Sequence, residues 1–196
     1  MGEKKIVGLA LCGSYCSYDK VFAAAGVLAE KYELIPIMSG TAAATDSRFG
    51  MAEENMRRLA ELTGHADVVT TIAAAEPLGP ARPMDALLIA PCTGNTLAKL
   101  AAGIADGPVT LAAKAHLRNE RPVIVAVSTN DALAGNAANL GTLLNRRGYY
   151  FVPFGQDSAF KKPRSLVADF TRLPQTVESA LRGEQVQPML YGTPVG

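Results

Sequence analysis

Four short stretches of this chain place small polar residues where an apolar run gives way to a helical pattern. They are Gly13-Ser14, Ser39-Gly40-Thr41, Thr93-Gly94-Asn95-Thr96 and Ser128-Thr129-Asn130. Residues of these types at the start of a helix can hold an anion. The first backbone N–H groups of a helix lack intrahelical partners and carry partial positive charge, and glycine lets a ligand come close to the main chain. The chemistry this favours is phosphate binding, with hydroxyls and amides supplying further donors. A second reading stays open at each cluster, because Ser, Thr and Asn are also the preferred N-caps of helices that bind nothing. Asn95 illustrates both: its amide can donate and accept toward a ring carbonyl or a carboxylate, or it can cap the helix that follows. Cys92, after a buried-looking strand, reads either as a thiol at a helix N-terminus or as a small core hydrophobe. Arg48, in the stretch TDSRFG, can grip a carboxylate with its planar fork and is the residue nominated for an acidic substrate.

The elements that must position these clusters can be read from periodicity. Apolar runs at 6–11, 33–38, 67–72, 85–90, 122–127 and 149–154 read as strands. Helical patterns occupy 18–31, 49–63, 95–103, 109–117, 133–147 and about 174–182, with Gly64, Gly103 and Gly148 as stops. EPLGPARP, at 76–83, reads as a loop. Near-continuous Val/Ile/Leu strands alternating with helices imply a parallel sheet covered on both faces. The fold class expected is therefore α/β, a Rossmann-like doubly wound parallel sheet in three α/β/α layers. In such sheets ligands bind beyond the carboxyl ends of the strands, where all four clusters fall. The 196 residues, with no repeat or break in composition, are expected to form one domain over 1–196, those after about 184 being a tail.

Composition removes several classes. Lys plus Arg number 19 against 18 Asp plus Glu, without a block of like charge, which argues against nucleic acid or an acidic membrane surface as partner. The cysteines, Cys12, Cys16 and Cys92, are odd in number and not spaced as a disulfide framework. The histidines, His65 and His116, lie far from them, so no metal site is expected. His116 is expected at a surface or an interface. The start MGEKKIVGLALCG is too soon broken by glycine for a signal peptide, and no apolar run is long enough for a membrane span. A cytoplasmic protein is expected. Neither G-x-G-x-x-G nor G-x-x-x-x-G-K-[ST] is present, which disfavours NAD(P) and ATP on this chain and leaves a single-phosphate cofactor such as FMN.

The segment APCTGNTLAKLAAGIADGPVT resembles the asparagine-containing motif of the homo-oligomeric flavin-containing cysteine decarboxylases, with Pro91, Asn95, Thr96, Ala98, Lys99, Gly103 and Asp106 matching. The Pro91-Cys92 pair is similar to the flavin prenyltransferases, and CGSYCSYDK resembles the first loop of that superfamily. This resemblance implies a flavoprotein fold binding FMN through Gly13, Ser14, Ser39, Thr41, Cys92, Thr93, Asn95, Thr96, Ser128 and Asn130. It also implies trimers or larger rings, for which TDSRFG and the helix at 49–63 could form the boundary. Two departures bear on chemistry. The position of the decarboxylases' catalytic histidine is Pro77, and their second signature, Pro-Ala-Met-Asn, is here Val127-Ser128-Thr129-Asn130.

From about residue 4 to about residue 190 the chain also resembles one branch of this superfamily, the second subunits of a two-chain oxidoreductase of endospore-forming bacteria. That resemblance implies oxidation of a dihydropyridine dicarboxylate in the mother cell, with NADP carried on the partner chain, the first of the two subunits. The catalytic residues are not legible. An FMN-binding scaffold without chemistry of its own, or a decarboxylase or prenyltransferase relative, stand as alternatives.

Overall fold

A computed structural model describes residues 4–79 and 84–192. The central strands are β1 (Ile6–Leu11), β2 (Glu33–Met38), β3 (Ala86–Cys92) and β4 (Val123–Thr129). All four run parallel, in the order β2-β1-β3-β4. All seven residues of β3 are buried, which is why this stretch is apolar without alternation. A Cβ on Gly8, in β1, would lie 2.7 Å from Met84 Sδ and 2.9 Å from Leu87 Cδ1, so glycine here leaves the space that these side chains fill.

The intervening helices are α1 (Tyr18–Lys31), α2 (Gly40–Ala44), α3 (Ala52–Thr63), α4 (Ile72–Ala75), α5 (Gly94–Ala102), α6 (Pro108–Arg118) and α7 (Ala137–Leu144). They flank the sheet: α1 packs on α3, and α5 packs on α6 and α7. Gly64 and Gly103 end α3 and α5 in the left-handed conformation, at φ 71° and 73°.

The expected parallel sheet is extended by antiparallel strands. The apolar run at 149–154 divides into β5 (Tyr149–Phe151) and β6 (Phe154–Gly155) around Pro153. β5 pairs parallel with the first half of β4, and β7 (Leu166–Ala168) pairs antiparallel with Ser128 and Thr129 at its end. β6 then joins β7, and α8 (Leu173–Ala180) packs against α1.

Other expectations change. The run at 67–72 is not a strand; Val69 makes one parallel bridge to Ile37, and Ile72 already begins α4. Helix α7 starts only at Ala137, because Ala134 N–H and Asn136 N–H turn back to the Asp131 carbonyl. Leu133 and Leu144, apolar positions of the helical pattern at 133–147, are exposed. In 76–83, residues Glu76–Leu78 form a 3-10 turn, and 80–83 lie outside the described residues. The stretch after 184 is docked on its own sheet as far as Tyr191: Phe154 N–H donates to Met189 O, Tyr191 N–H donates to Phe154 O, and Tyr191 Oη donates to Val167 O.

Candidate functional site

The carboxyl ends of β1, β2, β3 and β4 carry the four polar clusters, and the structure sorts them into two clefts that share Thr93. The first, of about 460 Å³, lies between the starts of α2, α5 and α6. Gly13, Ser39, Thr41, Thr93, Asn95 and Thr96 are on its wall. The second, of about 530 Å³, is lined by Ser14, Thr93, Ser128 and Asn130 together with residues of the loop before β7.

Several hydroxyls serve the fold and the cleft together. Ser39 Oγ accepts from Ala42 N–H at 3.2 Å and so caps α2. Thr93 Oγ1 accepts from Thr96 N–H at 3.3 Å and caps α5; the cap is therefore Thr93 and not Asn95, whose exposed amide is left at the cleft rim. Thr96 is buried and donates its hydroxyl to Cys12 Sγ at 3.3 Å. Ser14, at φ 65°, donates to Ser128 O at 2.6 Å, which ties the end of β1 to the end of β4.

Both thiols of the sheet lie in the core. Burial raises Cys12 to a pKa of about 11, against smaller opposing hydrogen bonds from Thr96 and Thr93. Cys92 is pushed well up by burial and then by Cys12. Its side chain is fully buried, so of the ten residues nominated for the cofactor it is the one whose side chain reaches neither cleft wall. Cys16 is exposed and borders the second cleft.

Arg48 is exposed, stacks over the Phe49 ring at 4.8 Å, and is on the wall of neither cleft. Pro77 is exposed in its 3-10 turn; among the described residues of that region, Thr70, Thr71 and Ile72 reach the first cleft. His116 is buried rather than at a surface, with Nδ1 3.1 Å from Ala112 O and Nε2 without a hydrogen-bond partner among the described residues. Burial lowers its pKa; the Ala112 carbonyl opposes this, and Arg121 reinforces it. It belongs to the amino-end side of the sheet, where Arg121 donates to Met84 O and Asp85 accepts from Ile6 N–H at 2.8 Å.

Two parts of the walls lie outside the residues nominated for the site, although Lys99 and Asp106 are among the matching motif positions. Lys99 Nζ donates to both oxygens of Asp106 at 2.9 Å, and the pair, with Gly107, Pro108 and Thr110, closes one side of the first cleft. The signal was present in Asp106-Gly107-Pro108, a glycine cap followed by proline at the first helical position. Asp157, Lys162 and Ser165 in the second cleft had no local signal, because antiparallel pairing of β7 brings them there.

The first cleft has room for the phosphate of FMN. A Cβ on Gly40 would meet nothing within 4 Å, so the main chain faces open space there, and one on Gly13 would come within 3.2 Å of Thr93 Cγ2 and narrow the wall. Hydroxyls, main-chain donors and the Lys99 ammonium with its Asp106 partner line a volume in the range of small-molecule sites. The residues fit a phosphate-bearing ligand.

Comparison with known proteins agrees with this. The sequence model described as Flavoprotein matches residues 1–160. The chain belongs to the flavoprotein family. Among flavoprotein relatives, the B subunit of dipicolinate synthase from Bacillus subtilis (strain 168) is 46% identical over 187 residues, covering 95% of this chain and 93% of the relative. The crystal structure of the dipicolinate synthase B subunit from Bacillus halodurans C superposes with a TM-score of 0.88 at 42% identity, covering 98% and 99% of the two chains. The FMN-dependent cysteine decarboxylase SpaF superposes at 0.68 with 26% identity, covering 92% and 96%.

Proposed function

We propose that this flavoprotein is the B subunit of a dipicolinate synthase, and that it holds FMN and a dihydropyridine-dicarboxylate substrate beside the A subunit, which carries NADP. The observation that carries this reading is the 46% identity to such a subunit over 95% of the chain. The geometry supports it: Gly13, Ser39, Thr41, Thr93, Asn95 and Thr96 surround a cleft suited to a phosphate, and Ser14, Ser128 and Asn130 surround its neighbour. Thr93, shared by the two walls, would then stand between cofactor and substrate. FMN, when bound, supplies a two-electron acceptor. The chain's own residues bind, orient and shield, since the charged groups of the first cleft, Lys99 and Asp106, neutralise each other.

The reading includes one domain, a mother-cell cytoplasmic location, and a homo-oligomer in which exposed Phe49, Met51 and Ile72 meet a second copy. The decarboxylase alternative is disfavoured by Pro77 in place of histidine. The experiment is a visible absorption titration with FMN, followed by an assay of dipicolinate formation from the dihydropyridine precursor and NADP with this chain, the A subunit or both. Uptake of FMN and product from the mixture above that of the A subunit on its own are expected. A colourless protein, or full activity from the A subunit on its own, overturns the reading.

A further inference from the structure

The second cleft has a distinctive inventory. Most of its polar groups are spent on the scaffold: Ser14 Oγ on Ser128 O, Ser128 Oγ on Ser17 Oγ at 3.0 Å, and Thr129 Oγ1 on Asp131. Two groups are not. The Asn130 amide is exposed and makes no side-chain hydrogen bond among the described residues. The Lys162 ammonium reaches the cleft from the loop between β6 and β7, and its partner there is Asp157 Oδ2 at 2.7 Å. The pair is unequal: the Lys162 side chain is 60% exposed and that of Asp157 25%. Arg48, the cation expected to meet an acidic substrate, is on neither wall, and among the described residues Lys162 is the positive side chain on this one.

We infer that the second cleft is a carboxylate-recognition site for a pyridine-dicarboxylate ligand, in which Lys162 supplies the cation, Asn130 an amide donor, and Asp157 holds Lys162 until the ligand's carboxylate takes its place. The identity of the ligand rests on the function proposed above; the site itself rests on the cleft. A lysine on a flexible stem is suited to such an exchange, because its ammonium is a point charge that one carboxylate can take over from another without matching a fork. Asp157 therefore competes with the ligand. Its carboxyl is held below the usual range first by the Lys162 hydrogen bond, so it is ionised and competing at neutral pH.

This gives opposite signs for the two members of one ion pair. With the full chain and dipicolinate itself as probe, titration calorimetry should show saturable 1:1 binding. Lys162→Met should weaken it by about tenfold or more, the loss of one hydrogen bond to a charged group, and Lys162→Arg should recover most of the affinity. Asp157→Asn should tighten binding, since the internal competitor is gone. Picolinate, with one carboxylate, should bind less well, and added salt should weaken all of these. FMN affinity, measured in parallel, should be the same in the three variants.

Titrations run with this chain alone and with the A subunit present cover a site completed by the partner. Unchanged binding in Lys162→Met, weaker binding in Asp157→Asn, or no dipicolinate binding in either setting overturns the inference. FMN uptake without dipicolinate binding removes this site and leaves the cofactor reading standing. Lys162-dependent dipicolinate binding by a protein that takes up no FMN does the reverse.

Discussion

Thr96 Oγ1 donates to Cys12 Sγ across 3.3 Å, joining the first turn of α5 to the end of β1 in a buried contact. Thr96 is thereby turned toward the core while its helix start faces the first cleft, and Cys12 accepts as a neutral thiol.

The thiols should consequently differ in reactivity. With Cys12 at a pKa of about 11 and Cys92 also raised, both stay protonated and buried at neutral pH. A thiol reagent applied to the native protein at about pH 7.5 should label Cys16 quickly and the other two only after denaturation. Rapid labelling of Cys92 would show that the end of β3 opens.

Thr93 caps α5 and borders both clefts, so one substitution should report two effects. Thr93→Ala should lower stability by about 1 kcal/mol through loss of the cap and should also weaken FMN binding. Thr93→Ser, which keeps the hydroxyl, should restore both. Denaturant unfolding and FMN titration measure them separately.

Gly94 faces a polar cluster. A Cβ there would lie 2.5 Å from Asn136 Nδ2, 2.7 Å from Thr129 Oγ1 and 2.8 Å from Asp131 Oδ1. Asp131 also accepts from Asn136 Nδ2 at 2.7 Å, so the neighbours are tied together and cannot withdraw independently. Gly94→Ala should destabilise by roughly 1–3 kcal/mol, as overpacking does, and shift α5 away from the end of β4. A variant as stable as the parent in urea would contradict this packing.

His116 should impose a pH dependence of known sign. Its folded pKa is lowered by burial below the ordinary 6.5, so the unfolded chain binds the proton more readily. Its contribution is complete above about pH 6.5 and falls as the pH drops below that value toward the depressed folded pKa. Unfolding measured between about pH 8 and pH 5 should show a loss of stability below about 6.5 that is reduced in His116→Gln, whatever the offset of the variant at the upper end.

The local code of this chain carried much of the fold. Continuous apolar runs marked β1, β2, β3 and β4, since strands covered on both faces need no polar alternation. Glycine stops ended α3 and α5 because only the left-handed conformation lets the chain leave each helix there. The polar turns at 13–14, 39–41, 93–96 and 128–130 marked the ends of the central strands, because capping and ligand approach call for the same residue types. Tertiary structure decided what local pattern cannot encode. Pairing of β7 against the end of β4 brings Asp157 and Lys162, some thirty residues downstream, to Ser128 and Asn130. Strand β6, at Phe154, docks the segment up to Tyr191, which composition alone marked as a tail. Packing buries Cys92 and His116 and leaves Arg48 on Phe49, since exposure depends on what lies across a surface and not on neighbours in sequence. The division of the strand ends into two clefts at Thr93 likewise follows from how α2, α5, α6 and the β6–β7 loop converge in space.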